Sequence, residues 1–375
     1  MMSKIISFVK KEAVLCISIL AAVVSMFIVR PDRGYADYID FRTLAILFCL
    51  MAVVSGLRNM GIFDRVAQAL LAKVHGIGGI AAVLVGICFI SSMFITNDVA
   101  LITFVPFTLI IADSMKDRIK ESVTLTIVVM QTIAANLGSM LTPIGNPQNL
   151  YLSGISGMGT WDIVKLMFPY SAAAFIMLAI WISIIGIRGR GRGTSSVAMH
   201  TDIPPVKLKA VIMYAVLFIV SFFAVMRVIH YALPLALVII CMAVFDRKNF
   251  IGIDYSLLGT FAALFIFIGN IGRIGAFNEW MQSIVTGREI IVSAAASQIM
   301  SNVPAAILLS GFTDNIRELI VGTNIGGLGT LIASMASLIS FRYVAGSGRS
   351  GGKYLAIFTT ANLAFLAVMI GISVK

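Results

Sequence analysis

The amino-acid sequence predicts an all-α integral membrane protein made of two inverted-topology repeats, with about nine spanning helices, two re-entrant helical hairpins and two unwound helices. Three observations carry that expectation. Of 375 residues, 59% are hydrophobic and 12% charged, and the mean hydropathy is +1.00, far from the balance of a soluble domain. Several apolar runs, such as 13–29, 163–187, 210–226 and 354–373, approach or exceed the roughly 20 residues that cross a bilayer as helix. Finally, two short polar stretches inside apolar runs, Thr96-Asn97-Asp98 and Ser301-Asn302, are each followed by an Asn/Gly-broken segment, once in each half.

The first repeat, 1–190, places spans at 13–29 and 43–57, a hairpin at 77–112 that enters the membrane and returns, a broken helix at 122–150 and a span at 163–187. No cleavage site follows the first run, so it reads as a retained helix. A basic, Gly- and Pro-containing stretch, 188–209, is the expected linker on the cytoplasmic side. The second repeat, 210–375, opens with an extra crossing at 210–228 that inverts the copy. Spans follow at 231–245 and 254–272, then a hairpin at 289–312, a broken helix at 319–338 and a last span at 354–373. The segments 57–68 (LRNMGIFDRVAQ) and 271–282 (IGRIGAFNEWMQ) match at Gly61/Gly275, Phe63/Phe277 and Gln68/Gln282, and both read as interfacial amphipathic helices.

The net charge of +11 does not call for a nucleic acid. With the N-terminus cytoplasmic and the C-terminus extracytoplasmic, 19 of the 28 Lys and Arg fall inside, the bias that orients membrane helices. Cys16, Cys49, Cys88 and Cys241 stand singly in apolar segments without metal or redox spacing and read as small buried hydrophobes.

Polar backbone breaks at membrane depth must line an enclosed cavity, because a lipid-facing amide or carbonyl costs several kcal/mol. Written together, 135–150 (ANLGSMLTPIGNPQNL) and 323–338 (TNIGGLGTLIASMASL) share Asn, Gly, Thr, Ile and Leu at matching steps, with Thr142 aligned to Thr330. Pro143, Gly145 and Pro147 exclude a continuous helix in the first copy. The candidate substrate- and ion-binding residues are therefore Thr96, Asn97, Asp98, Asn136, Thr142, Gly145, Asn146 and Asn149 in the first half. In the second half they are Ser301, Asn302, Asn324, Gly326, Thr330 and Ser334. Half-helix ends at the tips favour an anion, and side-chain oxygens with free carbonyls are hard ligands for sodium, expected at Asn97, Asn302 and neighbouring carbonyls. Asp98, the one acidic residue placed deep in the membrane, is read as a carrier of the coupling cation or proton, or as an N-cap of the second half-helix. Its counterpart is Val303.

On these residues the sequence resembles the ion transporter superfamily of divalent anion–sodium symporters, citrate transporters, arsenite permeases and a class of sodium–proton antiporters. TNDVALITFVP and NLGSMLTPIGNPQNL resemble the family's first hairpin tip and following unwound helix; SNVPAAILL and TNIGGLGTLIASMASLI resemble the arsenite-permease branch more than the dicarboxylate branch. The resemblance implies an elevator-like movement of the hairpin-bearing domain and a homodimer. The resulting expectation is a secondary transporter of an inorganic oxyanion or carboxylate in the plasma (inner) membrane, coupled to a sodium or proton gradient. No cofactor is expected, and the partners are a small anion and the lipid bilayer. A sodium–proton antiporter using Asp98 is the alternative. An enzyme is disfavoured by the lack of HExxH, GxSxG or paired membrane Asp, and an ATP-driven pump by the lack of a P-loop.

Overall fold

The computed structural model describes residues 12–115, 119–188 and 207–373. Every regular element among them is helical, and eight helices are long and apolar enough to cross a membrane. The chain is an integral membrane protein by that measure.

In the first half the helices are α1 (Ala13–Ile28), α2 (Tyr35–Tyr38), α3 (Phe41–Asn59), α4 (Ile62–Leu71), α5 (Gly76–Ile95), α6 (Asn97–Ser114), α7 (Glu121–Ser139), α8 (Pro147–Ser156) and α9 (Thr160–Arg188). Helix α10 (Leu208–Val225) follows the linker. The second half holds α11 (Ala232–Phe245), a 3-10 turn over Arg247–Gly252, α12 (Tyr255–Gly272), α13 (Gly275–Val285), α14 (Glu289–Met300), α15 (Asn302–Ser310), α16 (Ile316–Ile325), α17 (Met335–Gly346) and α18 (Gly351–Ser373). Local chemistry explains the ends. Asp40 and Asp254 cap α3 and α12 by accepting the Thr43 and Leu257 amides at 3.0 and 2.9 Å. Asn146 caps α8, with Pro147 at the first helical position, where no donor is lost.

The chain breaks between helices at Thr96 and Ser301, the segment after each break is itself interrupted, and the arms flanking the two breaks differ in length. The first hairpin has arms of 20 and 18 residues, each long enough to cross the bilayer, whereas the second has arms of 12 and 9. Gly78, Gly79 and Gly86 do not interrupt α5, which runs unbroken from Gly76 to Ile95. The broken segments also run on: α8 reaches Ser156 and α17 reaches Gly346, past the expected ends at 150 and 338. Only the Met140–Asn146 and Gly326–Ser334 stretches are non-helical. The 188–209 linker (apart from its first and last residues), the N-terminal basic residues, Lys116, Arg118 and the extreme C-terminus lie outside the described residues.

The two halves interdigitate. α5 packs along α7, α14 along α16, and α8 meets α15 and α16, while α6 meets α17 and α7 meets both α17 and α18. A single apolar core runs through these contacts. Helices α1, α3, α10, α11 and α12 form a second layer in which α1 lies on α12, and α3 on α10 and α11. Outward faces are apolar, as lipid contact requires: Phe27, Phe175, Ile219 and Leu363 are all exposed. Cys49 and Cys88 are buried, but Cys16 and Cys241 are only half-buried, because α1 and α11 sit in the outer layer.

Candidate functional site

The two tips share one backbone geometry. Thr96 has φ 72° and ψ 151°, and Ser301 has φ 74° and ψ 153°, a region that glycine alone enters without strain. Neither residue is glycine, so the surroundings enforce the bend. The enforcing bonds match. The Asn97 amide, first in α6, donates to the Gly145 carbonyl at 3.2 Å, and the Asn302 amide, first in α15, donates to Ala333 at 3.0 Å. The Thr142 hydroxyl donates to the Met93 carbonyl, and the Thr330 hydroxyl to the Gln298 carbonyl at 3.0 Å. The register that aligns Thr142 with Thr330 thus also aligns Gly145 with Ala333 and Asn146 with Ser334.

The broken segments are tied to each other by a reciprocal amide network. Asn146 donates to Asn324 at 2.9 Å, and its counterpart Ser334 donates to Asn136, the counterpart of Asn324, also at 2.9 Å. Asn97 adds a bond to the Asn136 oxygen at 3.0 Å, and Asn136 in turn donates to the Gly327 carbonyl at 3.4 Å. Asn324 donates to Asn149 at 2.5 Å, and Asn149 donates to the Met140 and Thr142 carbonyls at 3.0 and 3.2 Å. All of these amides are buried. Paired amides satisfy the carbonyls that helix breaking leaves open, which water does in a soluble protein. Two glycines permit the closeness: a Cβ at Gly145 would strike the Ser139 carbonyl, and one at Gly326 would lie 2.8 Å from the Ala294 Cα.

One cavity reaches this network. It holds about 120 Å³ and is lined by Thr96, Asp98 and Val99 at the start of α6, Asn146 and Pro147 at the start of α8, and Asp254 and Leu257 at the start of α12. Ser55 and Arg58 of α3 complete its polar wall, and Leu47, Leu50, Ile102, Ile144 and Leu150 its apolar one. The starts of three helices therefore line one space, two of them capped by Asn146 and Asp254. Asp98 Oδ1 is buried without a hydrogen-bond partner. Asp98 is not the cap expected as one alternative: the capping position falls on Thr96, and no side chain caps α6.

The structure thus sorts the candidates. Thr96, Asp98 and Asn146 face the cavity. Asn97, Asn136, Asn149, Asn324 and Ser334 bind one another or backbone. Thr142, Gly145 and Gly326 set the approach of the segments. Ser301, Asn302 and Thr330 form the second tip, where Thr330 is exposed. Sequence reasoning missed four contributors. Arg58 fell in the expected interfacial helix 57–68 and Asp254 at the first residue of the expected span 254–272, and tertiary packing carries both into the cavity wall. Gln131 and Gln298 sit inside apolar helices, an available signal, since a buried amide demands partners. Gln131 receives the Thr108 hydroxyl at 2.8 Å and donates to the Phe104 carbonyl at 3.3 Å, bracing the first hairpin.

The family model described as citrate transporter matches residues 1–316. The chain belongs to the citrate transporter family. An uncharacterized transporter of Methanocaldococcus jannaschii is 32% identical over 356 residues, covering 94% of this chain and 95% of the relative. The inner membrane protein YbiR of Escherichia coli is 27% identical over 334 residues, covering 85% and 84%. A silicon efflux transporter of Oryza sativa is 29% identical over 126 residues, or 34% of this chain and 25% of the relative. The chain is a membrane transporter of this family.

Proposed function

We propose that this transporter carries a small inorganic oxyanion or carboxylate, coupled to a sodium or proton gradient that acts through Asp98. The observation that carries this reading is the cavity at the first tip. A partnerless carboxylate oxygen there shares its cavity with the starts of three helices, Arg58 and a second carboxylate, Asp254. Helix ends and a guanidinium favour an anion, and the carboxylate repels one unless a cation or proton accompanies it. That mutual requirement is coupling. Binding of the cation at Asp98, Thr96 and nearby carbonyls admits the anion, and an unaccompanied anion is excluded.

The cavity lies between two layers, with the α6–α8 side carrying the tip and α3 and α12 the opposing wall. This supports an elevator-type movement of the hairpin-bearing body against the outer layer, in a homodimer whose halves are inverted repeats. Three ion pairs join loops that the proposed topology, with basic loops facing the cytoplasm, assigns to the same side. Arg349–Asp113 at 2.7 Å and Lys353–Glu121 at 3.7 Å join loops assigned to the inside, and Arg273–Asp32 at 2.6 Å joins loops assigned to the outside. The plasma membrane is the proposed location.

Purified protein in proteoliposomes, with sodium and pH gradients imposed separately, tests the reading. Uptake of a radiolabelled oxyanion or carboxylate driven by one gradient is expected. Counterflow of sodium and protons with no anion movement would replace it by the antiporter, which the shared wall position of Asp98 and Asp254 favours as second reading.

A further inference from the structure

Gln298 lies one turn before the second tip, where the first half carries Met93. Its Nε2 is 3.0 Å from the Ala294 carbonyl oxygen, 2.9 Å from that of Gly326 and 2.9 Å from that of Leu328. A primary amide has two hydrogens, so three acceptors outnumber the donors available. The orientation of the amide is fixed, because Oε1 accepts the Thr330 N–H at 2.9 Å. Gly329, at φ 103°, lets the chain pass against this amide; a Cβ there would collide with it. Three carbonyl oxygens from a helix turn and a broken segment converge on one point, and main-chain carbonyls of broken helices are ligands for a monovalent cation.

The first half is built differently at the corresponding place. Met93 has no donor in its side chain, while its carbonyl accepts the Thr142 hydroxyl just as the Gln298 carbonyl accepts that of Thr330. The Met140 and Thr142 carbonyls, counterparts of those of Leu328 and Thr330, are held by Asn149 from within the broken segment. The first tip also carries the carboxylate, where the second has Val303.

We propose that the amide nitrogen of Gln298 permanently occupies an alkali-cation position in the second half, so that the chain binds its coupling cation at the first tip alone. This rests on the cation-coupled reading above and narrows it: the second tip is a fixed strut, and the expected sodium site at Asn302 is filled by the protein itself.

Thermal unfolding of the purified protein in detergent, in sodium chloride against choline chloride at equal ionic strength, tests this without transport. Gln298→Met, which installs the residue of the first half, is expected to melt lower than the parent in choline. Sodium or potassium should restore most of the lost melting temperature, through a response the parent lacks. Gln298→Glu keeps the acceptor for Thr330 but sets an oxygen among three carbonyls, and is expected to fold only with an alkali cation present. If Gln298→Met loses the same stability in both salts, or if Gln298→Glu is indifferent to the cation or unfolded in every salt, Gln298 is a brace and the inference falls. Gradient-driven uptake by the parent decides the transport reading separately, and its failure leaves the salt comparison readable.

Discussion

The two hairpin tips have nearly the same backbone and opposite chemistry. Thr96 and Ser301 agree within a few degrees in φ and ψ, and each is followed by an Asn whose amide reaches the same point of its broken segment. Beyond the backbone they diverge. The first tip has Asp98, Met93 and Gly145, and opens on a cavity with one polar and one apolar wall; the second has Val303, Gln298 and Ala333, and an exposed Thr330. A repeated fold fixes where backbone groups are presented, whereas function follows from which side chains replace one another at equivalent steps. The two tips thus share their main-chain geometry and differ in charge.

The sharpest way to break that comparison is to remove the charge from the first tip. Asp98→Asn keeps size and loses the titratable carboxylate, and gradient-driven uptake is expected to fall by at least about tenfold, equivalent to about 1.4 kcal/mol. Val303→Asn, the parallel change at the second tip, is expected to leave the sodium and pH dependence of uptake in place. Equal losses at both sites would make the tips functionally alike.

Stability in detergent separates the halves next. Gly145→Ala drives a methyl group into the Ser139 carbonyl and is expected to cost about 1–3 kcal/mol. The reverse change at the counterpart, Ala333→Gly, should cost only about 0.4–1 kcal/mol through chain entropy. Denaturant or thermal unfolding of the two variants reads the difference, and similar losses would undo the alignment of these positions.

Where the halves act jointly, the response should be shared. Asn136→Ala and Asn324→Ala each strip partners from the reciprocal network, and each is expected to lose about 1–3 kcal/mol. A double-mutant cycle between Asn324 and Asn146 should reveal coupling, because they exchange a direct bond at 2.9 Å.

The smallest effect concerns the strain the tips share. Thr96→Gly and Ser301→Gly each relieve a backbone conformation unfavourable to a side chain, and each is expected to gain about 1 kcal/mol after the entropy of the unfolded chain is subtracted. Matching gains in melting temperature at the two sites would sharpen the equivalence of the backbones. A gain at one tip alone would show that only that tip is strained.

Much of this was legible in the sequence. Apolar run length marked the outer helices within a few residues, since a long uninterrupted apolar segment has no stable alternative in lipid. Pro143, Gly145 and Pro147 marked the first break because proline and glycine act on the backbone locally. Less was legible in the site. Asn97, Asn136, Asn149 and Asn324 were recognisable as buried polar residues, but whether each faces a cavity or another amide depends on partners 39 to 198 residues away.

By itself, then, the sequence determined the membrane solvent, the two tips, the two breaks and the register that pairs Thr142 with Thr330, because each follows from local hydropathy or local backbone chemistry. Only the tertiary structure decided that Asn146 bonds Asn324, that Arg58 and Asp254 wall the cavity with Asp98, and that Gln298 fills the place between three carbonyls. Those outcomes depend on which donor reaches which acceptor when two halves of one chain interlock. Hydrogen bonds are short and directional, so they are set by packing distances that no linear pattern records.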